Sequence, residues 1–341
     1  MEPATVNASF EGISGTYTSA YSCSLEDARA MLDAYGVAVI ENVLTKEECT
    51  NIVSTLWDNL EYASSKWEIP INREDQSTWS MDNFSVMHGM LSQHHSIGHW
   101  QAAWDIRQNE SVVEVFSTIW DCEPEDLVSS FDGVSISLPP EITGKGWYRK
   151  NSLWLHCDTS FYYSEDYEPE HCVQGWVTPI RVSKGDATLA FLRGSHKYHR
   201  QFSEKYGITE KADWYKLSEE QVSTYVTEYE CPLERITCPA GSIVLWDSKL
   251  IHCGQQPIKG RSRPNYRFCF YVCQMPRDRA TEAQLRKKRK AFEELRLTTH
   301  NPIKVKLFPK NPRLYGGDHK EGILPPPEPE LTDLGRRLAG Y

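Results

Sequence analysis

The segment from Asn151 to Tyr163 reads NSLWLHCDTSFYY, with a histidine and an aspartate set in an aromatic run. Its apolar and aromatic residues predict a buried strand, and His156 and Asp158 stand two residues apart within it. Alternate residues of a strand face the same side, so both side chains are expected to point to one place in the interior. An isolated His-x-Asp is more often a core histidine beside a turn aspartate, so its interpretation depends on a third partner.

That partner follows nearly a hundred residues downstream, in PAGSIVLWDSKLIHC. A turn at Pro239–Gly241 leads into an apolar strand that ends at His252. Two histidines and one carboxylate from two strands occupy one face of an octahedral metal and leave three positions open, an arrangement suited to iron(II). Cys157 lies between the first two ligands and is expected to point the opposite way, so it is not counted as a ligand.

Three arginines come shortly after the third candidate ligand, in KGRSRPNYRFCFYV: Arg261, Arg263 and Arg267. A dicarboxylate that binds the metal at one end needs a cation at its far end, and the planar guanidinium fork meets that need with two hydrogen bonds. Arg263 and Arg267 are four apart and share a face of a strand. Taken alone, they also fit the exposed arginines of a hairpin.

Together these pieces resemble the phytanoyl-CoA dioxygenase-type branch of the iron(II)/2-oxoglutarate-dependent oxygenases, over about residues 25–275. The matching stretches are AYGVAVIENVLTKEEC, LHCDTS, GDATLAFLRGSHKYH, PAGSIVLWDSKLIHCG and RSRPNYRFCFYV. The resemblance implies a double-stranded β-helix (jelly-roll) core and the iron ligands His156, Asp158 and His252. It places the 2-oxoglutarate arginine about eleven residues past the distal histidine, at Arg263. Arg267 is the alternative, because the intervening loop contains proline and glycine.

The resemblance also implies an activity. Dioxygen and 2-oxoglutarate are consumed, succinate and carbon dioxide are released, and an unactivated C–H bond of a small molecule is hydroxylated. Ascorbate is a possible requirement for keeping the iron reduced. Halogenating relatives lack the carboxylate ligand, so Asp158 favours hydroxylation. Two rivals stay open: a cupin-type metal enzyme that does not use 2-oxoglutarate, and a non-catalytic scaffold.

Further candidates flank the ligands. Gln174 alternates with Trp176 along a predicted strand, and an inward Gln174 could hydrogen-bond 2-oxoglutarate, although a core or edge position fits equally. The candidate substrate-pocket residues are Trp154, Thr159, Ser160 and Trp176. His196 in the Gly-Ser-His hairpin is interpreted as structural.

The chain is predicted to form a single catalytic domain over residues 1–341, mainly β with flanking helices. Its predicted parts are an N-terminal helix–strand–helix segment (24–64), a loop-rich pocket wall (64–110), a jelly-roll core (about 130–275) with a helical insertion (203–229), and a C-terminal helix with a proline-rich tail (277–341). The pairs Thr45/Glu48, Ser218/Gln221 and Thr281/Gln284 predict capping boxes. No motif predicts an oligomeric state.

Two clusters of chemistry-bearing residues invite other interpretations. MHGMLSQHHSIGHW contains His88, His94, His95 and His99, but no carboxylate or cysteine joins them at a zinc spacing, so a pocket wall is favoured. The run RKKRK in the C-terminal helix is interpreted as a solvated face.

Bulk properties narrow the partners. The formal net charge of −10 and the pI of about 5.6 argue against nucleic acid and make a coenzyme A ester less attractive, which favours another small-molecule substrate. No apolar stretch approaches the roughly 20 residues of a membrane span. Ten scattered cysteines without a C-x-x-C pair, and with no signal pattern, predict reduced thiols and a cytoplasmic location.

Overall fold

The computed structural model describes residues 15–84, 86–87, 90–147, 153–310 and 321–341, with residues 86–87 described by their backbone alone. The α-helices of this part are α1 (Ala28–Tyr35), α2 (Lys46–Ser64), α3 (Gln101–Arg107), α4 (Glu110–Trp120), α5 (Pro140–Thr143), α6 (His199–Tyr206), α7 (Glu219–Ser223), α8 (Glu282–Glu293) and α9 (Asp333–Leu338). A π-helical turn, Thr224–Glu228, extends α7. No described helix is both long enough and apolar enough to cross a membrane.

The strands are short. They are β1 (Thr16–Thr18), β2 (Val37–Ile40), β3 (Val86–Met87), β4 (Leu91–Ser92), β5 (Leu127–Ser129), β6 (Val134–Ser137), β7 (His156–Cys157), β8 (Val173–Thr178), β9 (Thr188–Leu192), β10 (Tyr215–Lys216), β11 (Leu233–Ile236), β12 (Ser242–Asp247), β13 (His252–Gln255), β14 (Arg267–Val272) and β15 (Gln274–Pro276).

Two large sheets carry the fold. One has the order β1-β11-β9-β13-β7-β10 and the other the order β2-β12-β8-β14-β6-β4-β3, while β15 and β5 form a separate pair. Pairing within the two large sheets is antiparallel except between β1 and β11. Neither large sheet closes on itself over the described residues. The predicted jelly-roll architecture is confirmed as two packed sheets and not as a closed barrel.

The seven-stranded sheet is buried on both faces, as β12 illustrates. Ile243 and Leu245 pack with helices α1 to α4 in the largest apolar cluster, whereas Val244 and Trp246 pack toward β9 and β11 of the other sheet. This alternation follows from the two-residue period of a strand. It explains why SIVLW reads as a continuous apolar run, since both neighbouring layers exclude water.

The N-terminal segment follows its sequence signals. The capping box predicted at Thr45 and Glu48 is present and starts α2. Gly36 ends α1 with a φ of 80°, in the left-handed region that glycine adopts without strain. A second left-handed glycine, Gly241, begins β12, and a Cβ there would lie 2.4 Å from the carbonyl oxygen of Leu44. This turn therefore fixes β12 against the N-terminal segment.

The helical insertion differs from the prediction for 203–229. Its first helix begins at His199, and the capping box at Ser218 and Gln221 starts α7 as predicted. Between α6 and α7, however, the chain forms β10, which pairs with β7 through Lys216 opposite His156. Backbone pairing to an edge strand is a long-range interaction that local sequence does not encode. The insertion thus becomes part of the sheet that holds the site.

The C-terminal helix also departs from expectation at one residue. The capping box at Thr281 and Gln284 starts α8, and most of the basic run is exposed as predicted. Lys288 is instead 1% exposed, and its Nζ donates to the carbonyl oxygens of Ser129 and Pro302. The interpretation of the whole run as a solvated face is therefore wrong at Lys288, because Lys288 lies three residues after Leu285 and three before Ala291 on the buried face of this helix.

Candidate metal centre and its cavity

Direct cross-strand pairing brings the two histidines together. Strand β13 pairs antiparallel with β7, with His252 opposite His156, and their rings lie 4.4 Å apart between centroids. Asp158 follows the end of β7, where its backbone N–H donates to the carbonyl oxygen of Ser248 at 3.1 Å. A group of ligand atoms from His156, Asp158 and His252 lies within 4.8 Å of one another. The three residues predicted as a metal triad are therefore gathered at one point.

Each imidazole is held in one orientation by its own strand. Nδ1 of His156 lies 3.1 Å from the carbonyl oxygen of Trp154, and Nδ1 of His252 lies 2.9 Å from that of Leu250. A carbonyl accepts only from an N–H, so each Nδ1 carries the proton and each Nε2 presents its lone pair. The Nε2 atoms face Asp158 at 3.6 Å (His156) and 3.5 Å (His252). This donor set fits a divalent metal such as iron(II).

The electrostatics of His252 and Asp158 also suit a divalent metal. Burial is the main cause that lowers the pKa of His252 to about 3, so its imidazole is neutral at physiological pH. Burial alone would raise the pKa of Asp158, but the neighbouring imidazoles of His156 and His300 hold it below its usual range. The neutral imidazole of His252 and the ionised carboxylate of Asp158 are the forms that bind a metal.

The cysteine between the two ligands lies on the other side of the strand. Cys157 is fully buried in an apolar cluster with Leu155 and Phe161, and its Sγ contacts the carbonyl oxygens of Thr159 and Ser248. Burial raises the pKa of this thiol well above its usual value. Its prediction as a non-ligand agrees with this placement.

The metal triad opens into a cavity of about 680 Å³ between the two sheets. A cavity of this size encloses a drug-sized ligand. Its lining includes the predicted residues Trp154, Gln174, Trp176 and Arg267 together with the triad. Trp154 stacks on His156, with the ring centroids 4.4 Å apart and the planes inclined by 6°. This contact holds Trp154 in place as part of the cavity wall.

Gln174 contacts a metal-ligand residue directly. Its Nε2 donates to Oδ2 of Asp158 at 2.9 Å. Two residues further along β8, Trp176 lies under the guanidinium of Arg267, with Cζ 5.4 Å from the ring centroid. Side chains two apart on a strand face the same side. The triad and Arg267 therefore contact neighbouring side chains on one wall of the cavity.

The structure separates the two candidate arginines. Arg263 is exposed and is absent from the described lining of the cavity, so its placement in a 2-oxoglutarate site is not supported. Arg267 is 4% exposed and lines the cavity; its Nε donates to Oγ of Ser135 and its Nη1 to the carbonyl oxygen of Ala187. The loop before β14 is long enough to shift the cavity arginine by four residues from the family spacing.

The third arginine, Arg261, anchors that loop. Its side chain is 2% exposed, forms ion pairs with Glu141 and Asp186, and donates to the carbonyl oxygen of Asn265. These contacts fix the chain just before β14. They give Arg261 a structural position outside the cavity.

Two predicted pocket residues lie elsewhere. Oγ1 of Thr159 is 2.7 Å from Oγ of Ser248, and Oγ of Ser160 donates to the carbonyl oxygen of Glu210. Both are buried but neither belongs to the described lining, because the chain turns away from the cavity after Asp158. Their prediction as substrate-pocket residues is therefore not supported.

The histidine-rich stretch divides between cavity and core. His94 lines the cavity, as do Leu91 and Gln93, which agrees with a pocket wall within 64–110. His99 is fully buried against Phe131, and burial lowers its pKa to about 3. His88 lies outside the described residues. The hairpin residue His196 lies 3.2 Å through Nε2 from the carbonyl oxygen of Asp33, a structural contact.

Several cavity residues were not predicted from the sequence. Residues 299–301 and 306–309 of the C-terminal region line the cavity, as do Asp132, Asp213 and Trp214. Nδ1 of His300 stands 3.9 Å from Oδ2 of Asp158. Residues 299–301 follow the basic helix α8 and carry no motif. Tertiary packing alone brings them to the metal triad.

Comparisons with known proteins agree with this geometry. The model of the family described as phytanoyl-CoA dioxygenase (PhyH) matches residues 32–263. The chain is 26% identical to the Ava biosynthesis cluster protein O of Aspergillus versicolor over 280 residues, covering 78% of this chain and 83% of that protein.

Two solved structures share the fold. A putative oxidoreductase from Salmonella typhimurium LT2 has a TM-score of 0.56 at 15% identity, covering 94% of this chain and 86% of that one. The hypothetical protein JW0805 from Escherichia coli has a TM-score of 0.53 at 15% identity, covering 94% and 85%. At this identity the likeness concerns the fold alone.

Proposed function

Because the chain belongs to the phytanoyl-CoA dioxygenase family and is an iron(II)/2-oxoglutarate-dependent oxygenase, we propose that it hydroxylates an unactivated C–H bond of a small molecule. Succinate and carbon dioxide are the proposed co-products. The observation that carries the proposal is the metal triad and Arg267 on the walls of one cavity. The biosynthesis-cluster name of its Aspergillus relative supports a small-molecule substrate.

His156, Asp158 and His252 would hold the iron. When bound, iron(II) supplies the activation of dioxygen, with 2-oxoglutarate as co-substrate. The protein prepares the site by fixing both imidazoles through their Nδ1 atoms and by keeping Asp158 ionised. Three protein ligands on one face leave room for the co-substrate and dioxygen.

Arg267 is the proposed partner of the far carboxylate of 2-oxoglutarate. Nε donates to Ser135 and Nη1 to Ala187, and the Tyr271 side chain also interacts with the guanidinium. These contacts hold the guanidinium in place at the cavity wall, where its planar fork can donate to a carboxylate. The buried position limits competition by water, which strengthens the interaction.

Asp158 bears on the type of reaction. Its carboxylate completes the triad and is held by Gln174, so the position that halide takes in halogenating relatives is filled by a protein ligand. Hydroxylation is therefore the proposed outcome. All ten cysteines lie among the described residues as free thiols, which supports the proposed cytoplasmic location.

The decisive experiment is an anaerobic titration of the apoprotein with iron(II) and then with 2-oxoglutarate. The keto acid gives a visible charge-transfer band only when it chelates the iron. We expect the band in the wild type and its loss in His252→Ala. Iron binding without a band would favour a cupin-type metal enzyme, and the absence of iron binding would favour a scaffold. Assays for succinate then need iron(II) with ascorbate.

A further inference from the structure

A buried carboxyl group outside the metal triad lines the cavity. Asp132, just before β6, is 6% exposed and lines the cavity. Its Oδ1 accepts hydrogen bonds from Nε2 of Gln93 at 2.7 Å and from the N–H of Gly133 at 2.6 Å. Within the described ranges no hydrogen bond ends on Oδ2, and no ion pair includes Asp132. One oxygen is thus satisfied and the other is left to the cavity.

The position of this carboxyl group is fixed by its backbone. Nη2 of the buried Arg107 donates to the carbonyl oxygen of Asp132 at 2.6 Å. The next residue, Gly133, packs so tightly that a Cβ would lie 1.9 Å from the carbonyl oxygen of Ser92. A side chain supported in this way is preorganised, which is the property of a recognition group.

Burial without a cation is costly for a carboxylate. Buried charges in proteins are paired or hydrogen-bonded, and a buried polar atom without a partner calls for an explanation. Burial raises the pKa of Asp132. The hydrogen bonds from Gln93 and the Gly133 N–H, and the charges of His300 and Arg107, lower this pKa in part. A ligand that brings a hydrogen-bond donor to Oδ2 would supply the missing partner.

That ligand is the substrate and not 2-oxoglutarate. A dicarboxylate is repelled by Asp132 and attracted by Arg267. Asp132, Asp158 and His300 line the same cavity, and His300 stands 3.9 Å from Asp158. A molecule held at Asp132 therefore shares this cavity with the metal triad.

The entrance of the cavity adds an aromatic surface. Trp214, on the insertion, is 45% exposed, and its ring centroid lies 6.0 Å from that of His156. The opposite wall carries Leu307, Phe308 and Pro309 from the C-terminal region, outside the family-matched residues 32–263. Asp213 at this rim is already paired with Lys304 at 2.8 Å. The rim thus favours an apolar, ring-bearing molecule.

We propose that Asp132 is a substrate-recognition residue that accepts a hydrogen bond from an amine, or from another N–H or O–H donor, on an apolar ring-bearing substrate. The inference deepens the proposed function and rests on it. The substrate would place its ring between Trp214 and the C-terminal wall and its donor group at Oδ2 of Asp132.

Four small probes that differ in one group test this proposal: 2-phenylethylamine, 2-phenylethanol, ethylbenzene and phenylacetate. Their dissociation constants are measured by ligand-observed NMR on protein loaded anaerobically with iron(II) and 2-oxoglutarate. We expect the amine to bind at least about tenfold more tightly than ethylbenzene, since a hydrogen bond to a charged group is worth that much. The alcohol should be intermediate and phenylacetate the weakest.

Two aspartate variants assign the effect to one residue. In Asp132→Asn the amide oxygen keeps the contacts with Gln93 and Gly133, so its NH2 group takes the place of Oδ2. The advantage of the amine should then fall to within about threefold of ethylbenzene, whereas the alcohol keeps its advantage because its oxygen can accept from that NH2 group. Asp213→Asn, the matched rim variant, should retain the amine preference. If Asp132→Asn does not fold, as judged by its thermal melt, the wild-type ranking alone decides.

Three results overturn the proposal: equal affinities of the amine, the alcohol and ethylbenzene, including no measurable binding by any probe; tightest binding of phenylacetate; or loss of the amine preference in Asp213→Asn. The charge-transfer band keeps the two hypotheses apart. No band contradicts the proposed function, whereas a band without the expected ranking contradicts the role of Asp132 alone.

Discussion

Gln174 holds Asp158 by a hydrogen bond of 2.9 Å from its Nε2 to Oδ2 of the carboxylate. The glutamine therefore contacts a residue of the candidate triad, although the sequence suggested a contact with the co-substrate. Asp158, held in this way, would bind a metal in a fixed orientation. Gln174 is therefore expected to position the Asp158 carboxylate, and this role can be measured.

The first prediction concerns that residue. Replacing Gln174 with Ala leaves Oδ2 of Asp158 without its donor, so the carboxylate is less well oriented. We expect the affinity for iron(II) to fall by about 10- to 100-fold, the range typical of partners that orient a metal ligand. Anaerobic metal titration measures the affinity, and thermal unfolding of the metal-free variant controls for folding. Unchanged metal affinity would contradict the positioning role.

The second prediction separates the two candidate arginines. Arg267→Ala should weaken 2-oxoglutarate binding by at least about 30-fold, because removing one partner of a buried charge pair costs about 2–5 kcal/mol. Arg263→Ala, its matched control, is exposed and should bind within about twofold of the wild type. The charge-transfer band measured against 2-oxoglutarate concentration gives both affinities. If Arg263→Ala weakened 2-oxoglutarate binding more than Arg267→Ala, Arg263 would be the 2-oxoglutarate arginine, as the family spacing predicts.

The third prediction concerns Arg261, which donates to the carbonyl oxygen of Asn265 and so fixes the chain just before Arg267. Its buried guanidinium pairs with Glu141 and Asp186. Arg261→Ala leaves Asp186 buried without its cation and should lower the free energy of unfolding by about 3–5 kcal/mol. Urea denaturation measures this loss. A change below about 0.5 kcal/mol, the range of ordinary surface substitutions, would contradict the structural role.

The fourth prediction concerns pH. Burial is the main cause that lowers the pKa of Lys288 from its ordinary value of 10.5 to about 7 in the folded protein. Between these pH values Lys288 is protonated in the unfolded chain but not in the folded protein. The contribution of Lys288 to the free energy of unfolding therefore rises with pH. The slope is at most about 1.4 kcal/mol per pH unit.

Comparing the wild type with Lys288→Met isolates this contribution from other groups. Urea denaturation from pH 7 to pH 10 should show the wild type gaining stability relative to the variant as pH rises. The variant also loses donors to Ser129 and Pro302, which shifts its whole curve but not its slope. Parallel curves over this interval would show that Lys288 keeps its ordinary pKa in the folded protein.

The members of the metal triad could be predicted from the sequence because two of them stand two residues apart and the third ends an apolar run, although the pairing of His252 with His156 is a tertiary contact. Alternation on a strand places His156 and Asp158 on one side, and the apolar run before His252 predicts a second buried strand. The helix starts at Thr45, Ser218 and Thr281 were predictable for the same reason, since a capping box involves residues only three apart.

Helix caps, strand faces and the types of metal ligand follow from residues close together along the chain. That Arg267 and not Arg263 lines the cavity, and that Asp132 and His300 join it, is seen in the folded protein alone. Those outcomes depend on loop length and on packing between distant segments, for which no residue carries a local signal. Sheet pairing and burial join residues far apart along the chain, whereas periodicity involves near neighbours.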